Sequence, residues 1–170
     1  MNLLDSLFSI LLILICNFGN QKEYDSFSKD GLSFTYSADW SITEQEDLDG
    51  DGYYLSVEKT GFNSSGMLAM TWIYGVLNPH EYIEMMKDEY RENKVMKDLK
   101  YSVVRNCTFG GIKTISCDYS CSILSVKHHG AFYVFVKGGN TYFMVKNEAL
   151  EDIAKNQKGF DLIESTFKIN

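Results

Sequence analysis

Much of this chain alternates apolar and polar residues with a period of two, and this alternation constrains its fold more than any other feature. Such segments have one face toward a core and one toward solvent, as in a half-buried strand. A continuous apolar run, Met67–Tyr74, is typical of a strand covered on both faces. The alternating segments that precede it are Leu32–Tyr36, Trp40–Ile42 and Tyr53–Val57.

A helix start follows this run. Asn78 suits the N-cap, Pro79 suits the first helical position, and Glu81 can reach back as in a capping box. Apolar residues then recur at intervals of three and four as far as Tyr90, which predicts an amphipathic helix that ends near Asn93. Methionine and aromatic residues in such stripes are interpreted as core.

The remainder reads as a strand meander closed by a second helix. The predicted turns are Gly110–Gly111, His129–Gly130 and Gly138–Asn140. An apolar stripe from Leu150 to Phe167 predicts the last helix, with a kink or break at Gly159. The order of elements predicts an α+β fold in which helices pack on an antiparallel sheet. The strand-like segments of the meander are Tyr101–Phe109, Ile112–Val126, Ala131–Lys137 and Thr141–Lys146.

The N-terminal residues predict where the domain is located. Leu7–Ile15 is an apolar run ending at Cys16, too short to span a bilayer but suited to a secretory signal. It resembles a bacterial lipoprotein signal, which implies that Cys16 is lipidated and becomes the mature N-terminus. An uncleaved anchor and a start codon further upstream are alternatives, and each also places the domain outside the cytoplasm. We predict a signal segment over residues 1–16, a polar spacer over 17–26 and one α/β domain over 27–170.

The charge of the chain limits its partners. The formal net charge is -7, and lysine and arginine form no cluster. An acidic protein of this kind repels phosphate backbones and anionic lipid headgroups, so nucleic acid is not expected as a partner. Attachment to a membrane is therefore expected through the hydrophobic lipid on Cys16.

The sharpest local motif is an acidic loop that matches the calcium-loop pattern D-x-D-x-D-G-x₅-E. Carboxylates supply the hard oxygen ligands that calcium prefers, and Gly52 permits a sharp turn. The flanking segments alternate like strands, so the other interpretation is a polar hairpin turn, where aspartate and glycine are favoured. The predicted calcium ligands are Asp47, Asp49, Asp51, Tyr53 and Glu58.

Three cysteines follow Cys16, an odd number for an oxidising compartment. Cys117 and Cys121 share a face of one predicted strand but lie about 13 Å apart at the usual rise per residue, too far for a disulfide. Cys107 faces Cys117 across the Gly110–Gly111 turn, and a bulge would bring the two within bonding distance. A Cys107–Cys117 disulfide and buried free thiols are both consistent with the sequence.

Few other residues suggest chemistry. His80, Glu81 and Glu84 approach the zinc pattern H-E-x-x-H, but acidic residues in a first helical turn are also favoured by the helix dipole. His128–His129 is interpreted as part of an exposed turn. The sequence contains no nucleophile elbow, phosphate-binding loop or dinucleotide fingerprint. A hydrolase is the alternative, with an acid and a base that are distant in the sequence and come together only in the fold.

Three short motifs resemble the PsbP-like group, the superfamily of the photosystem II extrinsic protein and the Ran-binding nuclear import factor. They are Gly31–Tyr36 followed by Trp40, a Phe-Gly-Gly turn at Phe109–Gly111, and a closing helix that includes Ile163–Phe167. The resemblance covers roughly residues 27–170 and implies an αβα sandwich that binds a ligand, in a superfamily not known for enzymes.

The expected function is that of a membrane-tethered, non-enzymatic accessory or binding lipoprotein outside the cytoplasm. Its partner is expected to be a protein or an envelope component, of unknown identity. Two alternatives come from other classes: a secreted or surface hydrolase, and a calcium-dependent binding module that uses the Asp47–Gly52 loop.

Overall fold

The architecture is built from antiparallel strands. The computed structural model describes residues 23–61 and 64–170, and these form eleven strands and two α-helices. The helices are α1 (Pro79–Glu92) and α2 (Ile153–Thr166), the second preceded by a 3₁₀ turn at Leu150–Asp152. The strands are β1 (Tyr24–Lys29), β2 (Leu32–Ser37), β3 (Trp40–Asp47), β4 (Gly52–Lys59), β5 (Met67–Ile73), β6 (Met96–Tyr101), β7 (Arg105–Phe109), β8 (Ile112–Ile123), β9 (Val126–Lys137), β10 (Asn140–Ala149) and β11 (Lys168–Ile169).

The strands form two sheets. The larger has the order β3-β4-β5-β10-β9-β8-β6, and β7 pairs with the part of β8 that β6 leaves free. The smaller has the order β1-β2-β11. The chain leaves the larger sheet after β5, crosses it through α1 to β6, and then returns by successive hairpins from β7 to β10.

Each face of the larger sheet has its own apolar core, and the alternation along β10 shows the division. Tyr142 and Met144 lie in a first core, which α2 and the smaller sheet cover. Phe143 and Val145 point the other way, into a second core with Ile83 of α1. The predicted α+β class, an antiparallel sheet with helices packed on it, is confirmed.

The turn predicted at His129–Gly130 is wrong. β9 runs through both residues, and the chain reverses instead at Leu124 and Ser125, whose φ angles are 49° and 70°. Gly130 has a packing role, because a Cβ there would lie 2.2 Å from Cζ of Tyr119, a buried ring on the neighbouring strand. Glycine inside a strand often marks such a close approach.

Two further sequence predictions differ from the structure. α2 continues through Gly159 without the predicted break. The glycine is instead needed for packing, because it makes room for the ring of Trp40. Of the predicted strand Tyr101–Phe109, the part from Arg105 onward forms β7, whereas Tyr101 is the last residue of β6, a strand that the sequence did not predict. Between them the backbone N–H of Ser102 donates to the carbonyl of Asp118, and the Ser102 hydroxyl accepts from the Asp118 N–H, both at 2.9 Å.

The folded domain begins slightly earlier than predicted. β1 starts at Tyr24, so residues 24–26 of the predicted spacer belong to a strand. The predicted signal segment and Cys16 lie outside the described residues. Within residues 23–61 and 64–170, neither helix combines the length and the apolar character needed to cross a bilayer.

Candidate binding groove

The position of α1 defines the candidate site. The predicted helix start is confirmed: the Asn78 side chain accepts a hydrogen bond from the His80 N–H and donates one to Glu81, both at 3.0 Å. On the side facing β6, the Tyr101 hydroxyl donates to the carbonyl of Lys87 at 3.0 Å. The helix packs on β9, β8 and β6, which leaves β5 and β4 along its open side.

A groove of about 360 Å³ lies along that open side, between α1 and strands β4, β5 and β10. The helix contributes Tyr82, Met85, Met86 and Glu89, whose spacing of three, four and seven places them on one helical face. Glu89 is the one carboxylate among the described residues that line the groove. The other lining residues are Tyr54, Met67, Ala69, Thr71, Tyr90, Phe143 and Val145.

Aromatic rings hold the wall of the groove in place. Tyr82 packs edge-on against Phe143 with ring centroids 5.3 Å apart, and Tyr90 does the same against Phe132 at 4.8 Å. Burial raises the pKa of Tyr82, and it raises the pKa of Tyr90 to about 12. Both phenols therefore stay neutral at physiological pH, and these two rings offer the groove apolar area with uncharged polar tips.

The sequence did not predict this groove, because methionine and aromatic stripes at helical spacing are typical of a core. Met86 and Tyr90 do belong to the apolar stripe of α1 and are partly buried. Met85 lies outside that stripe and is 46% exposed. A large apolar residue outside the buried stripe of an amphipathic helix is the sequence signal that would have indicated a surface site.

A wider cavity of about 770 Å³ lies near the N-terminal end of the domain and is lined in part by α2. Its carboxylates are Glu23 and Asp39, and its cations include Lys59. Asp39 accepts hydrogen bonds from Ser37 and, at 2.9 Å, from Lys59 Nζ; these hold its pKa below the usual range. A carboxyl group stabilised in its charged form suits an ion pair better than general acid catalysis.

The structure does not bring the predicted calcium ligands together. Asp47–Asp51 spans an exposed hairpin turn, in which the Asp47 carboxylate accepts a hydrogen bond from the Gly50 N–H at 2.8 Å. Tyr53 begins the buried part of β4, whereas Glu58 lies near the other end of that strand. Within the described ranges, no group of three or more His, Cys, Asp and Glu side chains is placed to hold a metal ion. The loop has the geometry of the polar hairpin turn.

The predicted disulfide between Cys107 and Cys117 is not formed, and Cys121 is also a free thiol. In the register of β7 and β8, Cys107 lies opposite Thr114, three residues from Cys117. An odd number of residues along a strand places side chains on opposite faces of the sheet. Cys117 and Cys121 accordingly lie in the core beneath α1, out of reach of Cys107.

The histidines are separate from both cavities. His80 lies at the start of α1, and Glu84 forms an ion pair with Lys87 at 2.6 Å. Among the residues that the structure describes, no third His, Cys, Asp or Glu joins them to hold a metal ion. His128 and His129 are half-buried within β9, which corrects the predicted exposed turn. Burial lowers the pKa of His128, yet this ring lines neither the groove nor the wider cavity.

Solved structures share this architecture. Cyanobacterial PsbP (CyanoP) from Synechocystis sp. PCC 6803 matches with a TM-score of 0.63 and 13% sequence identity, over 91% of this chain and 97% of that chain. The chain has a PsbP-like fold. The PsbP-like domain also matches LpqN, a Mycobacterium tuberculosis protein involved in cell envelope biogenesis. That match has a TM-score of 0.55 and 13% identity, over 92% of this chain and 96% of LpqN.

The predicted PsbP-like resemblance is thus confirmed for the fold. No protein-family model and no curated protein matches the sequence of the PsbP-like domain. A shared fold does not determine function, which depends on the site that the fold carries.

Proposed function

We propose that this chain is a non-enzymatic binding protein of a bacterial envelope, anchored outside the cytoplasm by a lipid on Cys16. Its domain, an αβα arrangement with one helix on each face of the sheet, binds an apolar ligand in the groove beside α1. The observation that carries the proposal is this groove of about 360 Å³, lined by methionine and tyrosine.

The chemistry of the groove supports binding. Its volume falls within the usual range for ligand sites, which are mostly apolar with a few polar groups that fix orientation. Methionine side chains are flexible and polarizable, and they are frequent on surfaces that accept varied apolar partners. Met67, Met85 and Met86 line the groove together with the neutral phenols of Tyr82 and Tyr90.

The proposed location rests on the apolar run Leu7–Ile15 and on Cys16 directly after it. The association of LpqN with cell envelope biogenesis supports an envelope role for a domain of the same fold. An acyl group on Cys16 would hold the domain at a membrane without requiring a charged surface.

Binding can be tested with a short peptide whose apolar core of leucine, isoleucine and phenylalanine is flanked by glutamines. The full chain is reconstituted in phosphatidylcholine vesicles, and the peptide that sediments with them is compared with protein-free vesicles. Ala69→Phe fills the groove and Met85→Gln removes apolar contact from its wall. Each is expected to weaken binding at least about fivefold, the effect of losing ~1 kcal/mol of contact.

Val103→Gln is the matched control, because Val103 is 82% exposed and does not line the groove. It is expected to bind the peptide as the wild type does. Peptide retention no greater than on protein-free vesicles, or equal retention by all variants, would refute the groove as the binding site.

The anchor has its own test. Intact-mass analysis of membrane-extracted protein is expected to show an acylated N-terminal Cys16, and Cys16→Ala is expected to release the domain from the membrane fraction. A Cys16→Ala protein that stays in that fraction would contradict lipid anchoring.

A further inference from the structure

The face of the larger sheet that contains the groove continues into an acidic surface on β3 and β4. In the β4–β5 register Tyr54 lies opposite Thr71 and Glu58 lies opposite Met67, so both side chains are on the groove face. On this face the Glu58 carboxylate accepts hydrogen bonds from the hydroxyls of Thr43 at 2.8 Å and Ser56 at 3.1 Å.

The edge strand β3 adds two more carboxylates to the same face. After the irregularity between Ile42 and Glu44, Glu44 lies opposite Ser56 and Glu46 lies opposite Tyr54. Both glutamates are exposed. Burial, followed by the charge of Glu44, raises the pKa of the Tyr54 hydroxyl at the mouth of the groove.

The opposite wall carries Glu89, and the cations of α1 point elsewhere. Lys87 and Arg91 lie over the ring of Tyr101, at 5.6 and 5.3 Å from its centroid, on the β6 side of the helix. None of the described residues that line the groove is lysine or arginine. We define the acidic rim as Glu44, Glu46, Glu58 and Glu89; within residues 23–61 and 64–170, no member forms an ion pair.

We propose that the groove binds a segment of a partner polypeptide in which apolar side chains are flanked by lysine or arginine. This inference rests on the proposed function and names the class of ligand. The apolar side chains occupy the space between Met67 and Met85, and the cations lie over the acidic rim on either side.

The negative charge of the acidic rim favours a segment with basic flanks over other apolar ligands. A carboxylate or phosphate head group in the groove would be repelled by Glu89 in its wall and by the other glutamates on the same face, which disfavours fatty acids and anionic lipids. A basic residue next to the apolar core gains attraction from the same charges and is steered toward the site. A cavity of about 360 Å³ has room for only a few large side chains of a bound segment.

The test uses three peptides that share the leucine, isoleucine and phenylalanine core and differ in their flanks: two lysines, two glutamines or two glutamates. Retention on vesicles containing the full chain is measured for each at low and at high salt. We expect the lysine peptide to bind roughly tenfold more tightly than the glutamate peptide, since each exposed pair contributes ~0.2–1 kcal/mol. High salt is expected to reduce this ratio, because three of the four rim glutamates are exposed to solvent.

The double variant Glu44→Gln, Glu89→Gln is expected to reduce the lysine-to-glutamate ratio to under about threefold, by the same pairwise magnitudes. The control is Glu151→Gln, Asp161→Asn. This variant changes the net charge by the same amount. Its two residues are exposed, one in the 3₁₀ turn and one in α2, and neither lines the groove. This control is expected to keep the ratio.

The outcomes separate the two proposals. Equal binding of all three peptides to the wild type, or equal loss of preference in both double variants, overturns the basic-segment inference and leaves the apolar groove standing. Failure of every peptide to bind above protein-free vesicles overturns the groove itself. Tighter binding of the glutamate peptide also overturns the inference, because it would require an excess of positive charge at the rim.

Discussion

The indole ring of Trp40 packs against the backbone of α2 at Gly159, so closely that a Cβ at position 159 would lie 2.2 Å from Trp40 Nε1. Both residues are buried, and Trp40 also packs edge-on against Phe160 with ring centroids 4.9 Å apart. Glycine ordinarily weakens a helix, but at this position the absence of a side chain allows α2 to pack against Trp40 of β3.

Gly159→Ala is therefore expected to destabilise the domain. The alanine gains ~1 kcal/mol of helix propensity, but overpacking against a buried ring costs more, and we expect a net loss of about 2 kcal/mol in the free energy of unfolding. Urea denaturation measures the change. Lys158→Ala, at an exposed neighbouring position, is the control and should stay near wild type; a stabilised Gly159→Ala protein would contradict the packing argument.

Glu148 joins β10 to α2 through a buried polar contact. It is 1% exposed, forms an ion pair with Lys146 at 3.1 Å and accepts a hydrogen bond from the Asn156 amide at 3.1 Å. Glu148→Ala removes the ion-pair partner of Lys146 and the hydrogen-bond acceptor of Asn156. We therefore expect a loss of about 3 kcal/mol in the free energy of unfolding. The exposed Glu151→Ala serves as comparison in the same denaturation series, and losses of equal size in the two variants would refute the assignment.

The β8–β9 hairpin turns through two residues of types that are uncommon at positive φ. Leu124 and Ser125 both have positive φ, and Leu124 is 86% exposed. The turn geometry favours Asn-Gly, so Leu124→Asn with Ser125→Gly is expected to raise the free energy of unfolding by about 1 kcal/mol. Leu124→Val should change it in the opposite direction, because a β-branched residue is strained at positive φ. Thermal denaturation of the three proteins shows whether the signs differ.

Asp152 is expected to contribute to stability against acid. Hydrogen bonds from Lys155 at 2.6 Å and from Ser65 at 2.8 Å lower its pKa below the ordinary 3.8. A carboxyl with a lowered folded-state pKa stabilises the fold above its unfolded pKa, and this contribution is lost as pH falls through the folded value. Unfolding free energies measured from pH 6 downward should fall less steeply for Asp152→Asn than for wild type below pH ~4. Identical slopes would exclude this role.

The cysteines of the domain are expected to be insensitive to reductant. Cys107, Cys117 and Cys121 are free thiols, so dithiothreitol should leave the Tm unchanged. Thiol titration of the unfolded, unreduced protein should detect all three. A Tm that falls on reduction, together with two missing thiols, would restore the Cys107–Cys117 disulfide.

The local sequence determined the elements that depend on local interactions. Alternation predicts β2 and β4, and the Asn78–Pro79 pair predicts the start of α1, because strand faces and helix caps are set by residues within a few positions of one another. These elements, in their order along the chain, were enough to predict the α+β class, whereas the PsbP-like resemblance depended on three short motifs.

Only the tertiary structure decided the features that depend on which strands become neighbours. Gly130 and Gly159 carry turn and break signals in the sequence, but the rings of Tyr119 and Trp40 give them packing roles. Cys107 is separated from Cys117 by the register in which β7 pairs with β8, and no short segment of sequence specifies that register. The groove likewise exists because α1 lies over β9 and leaves β5 open, an outcome of long-range packing that one amphipathic helix does not encode.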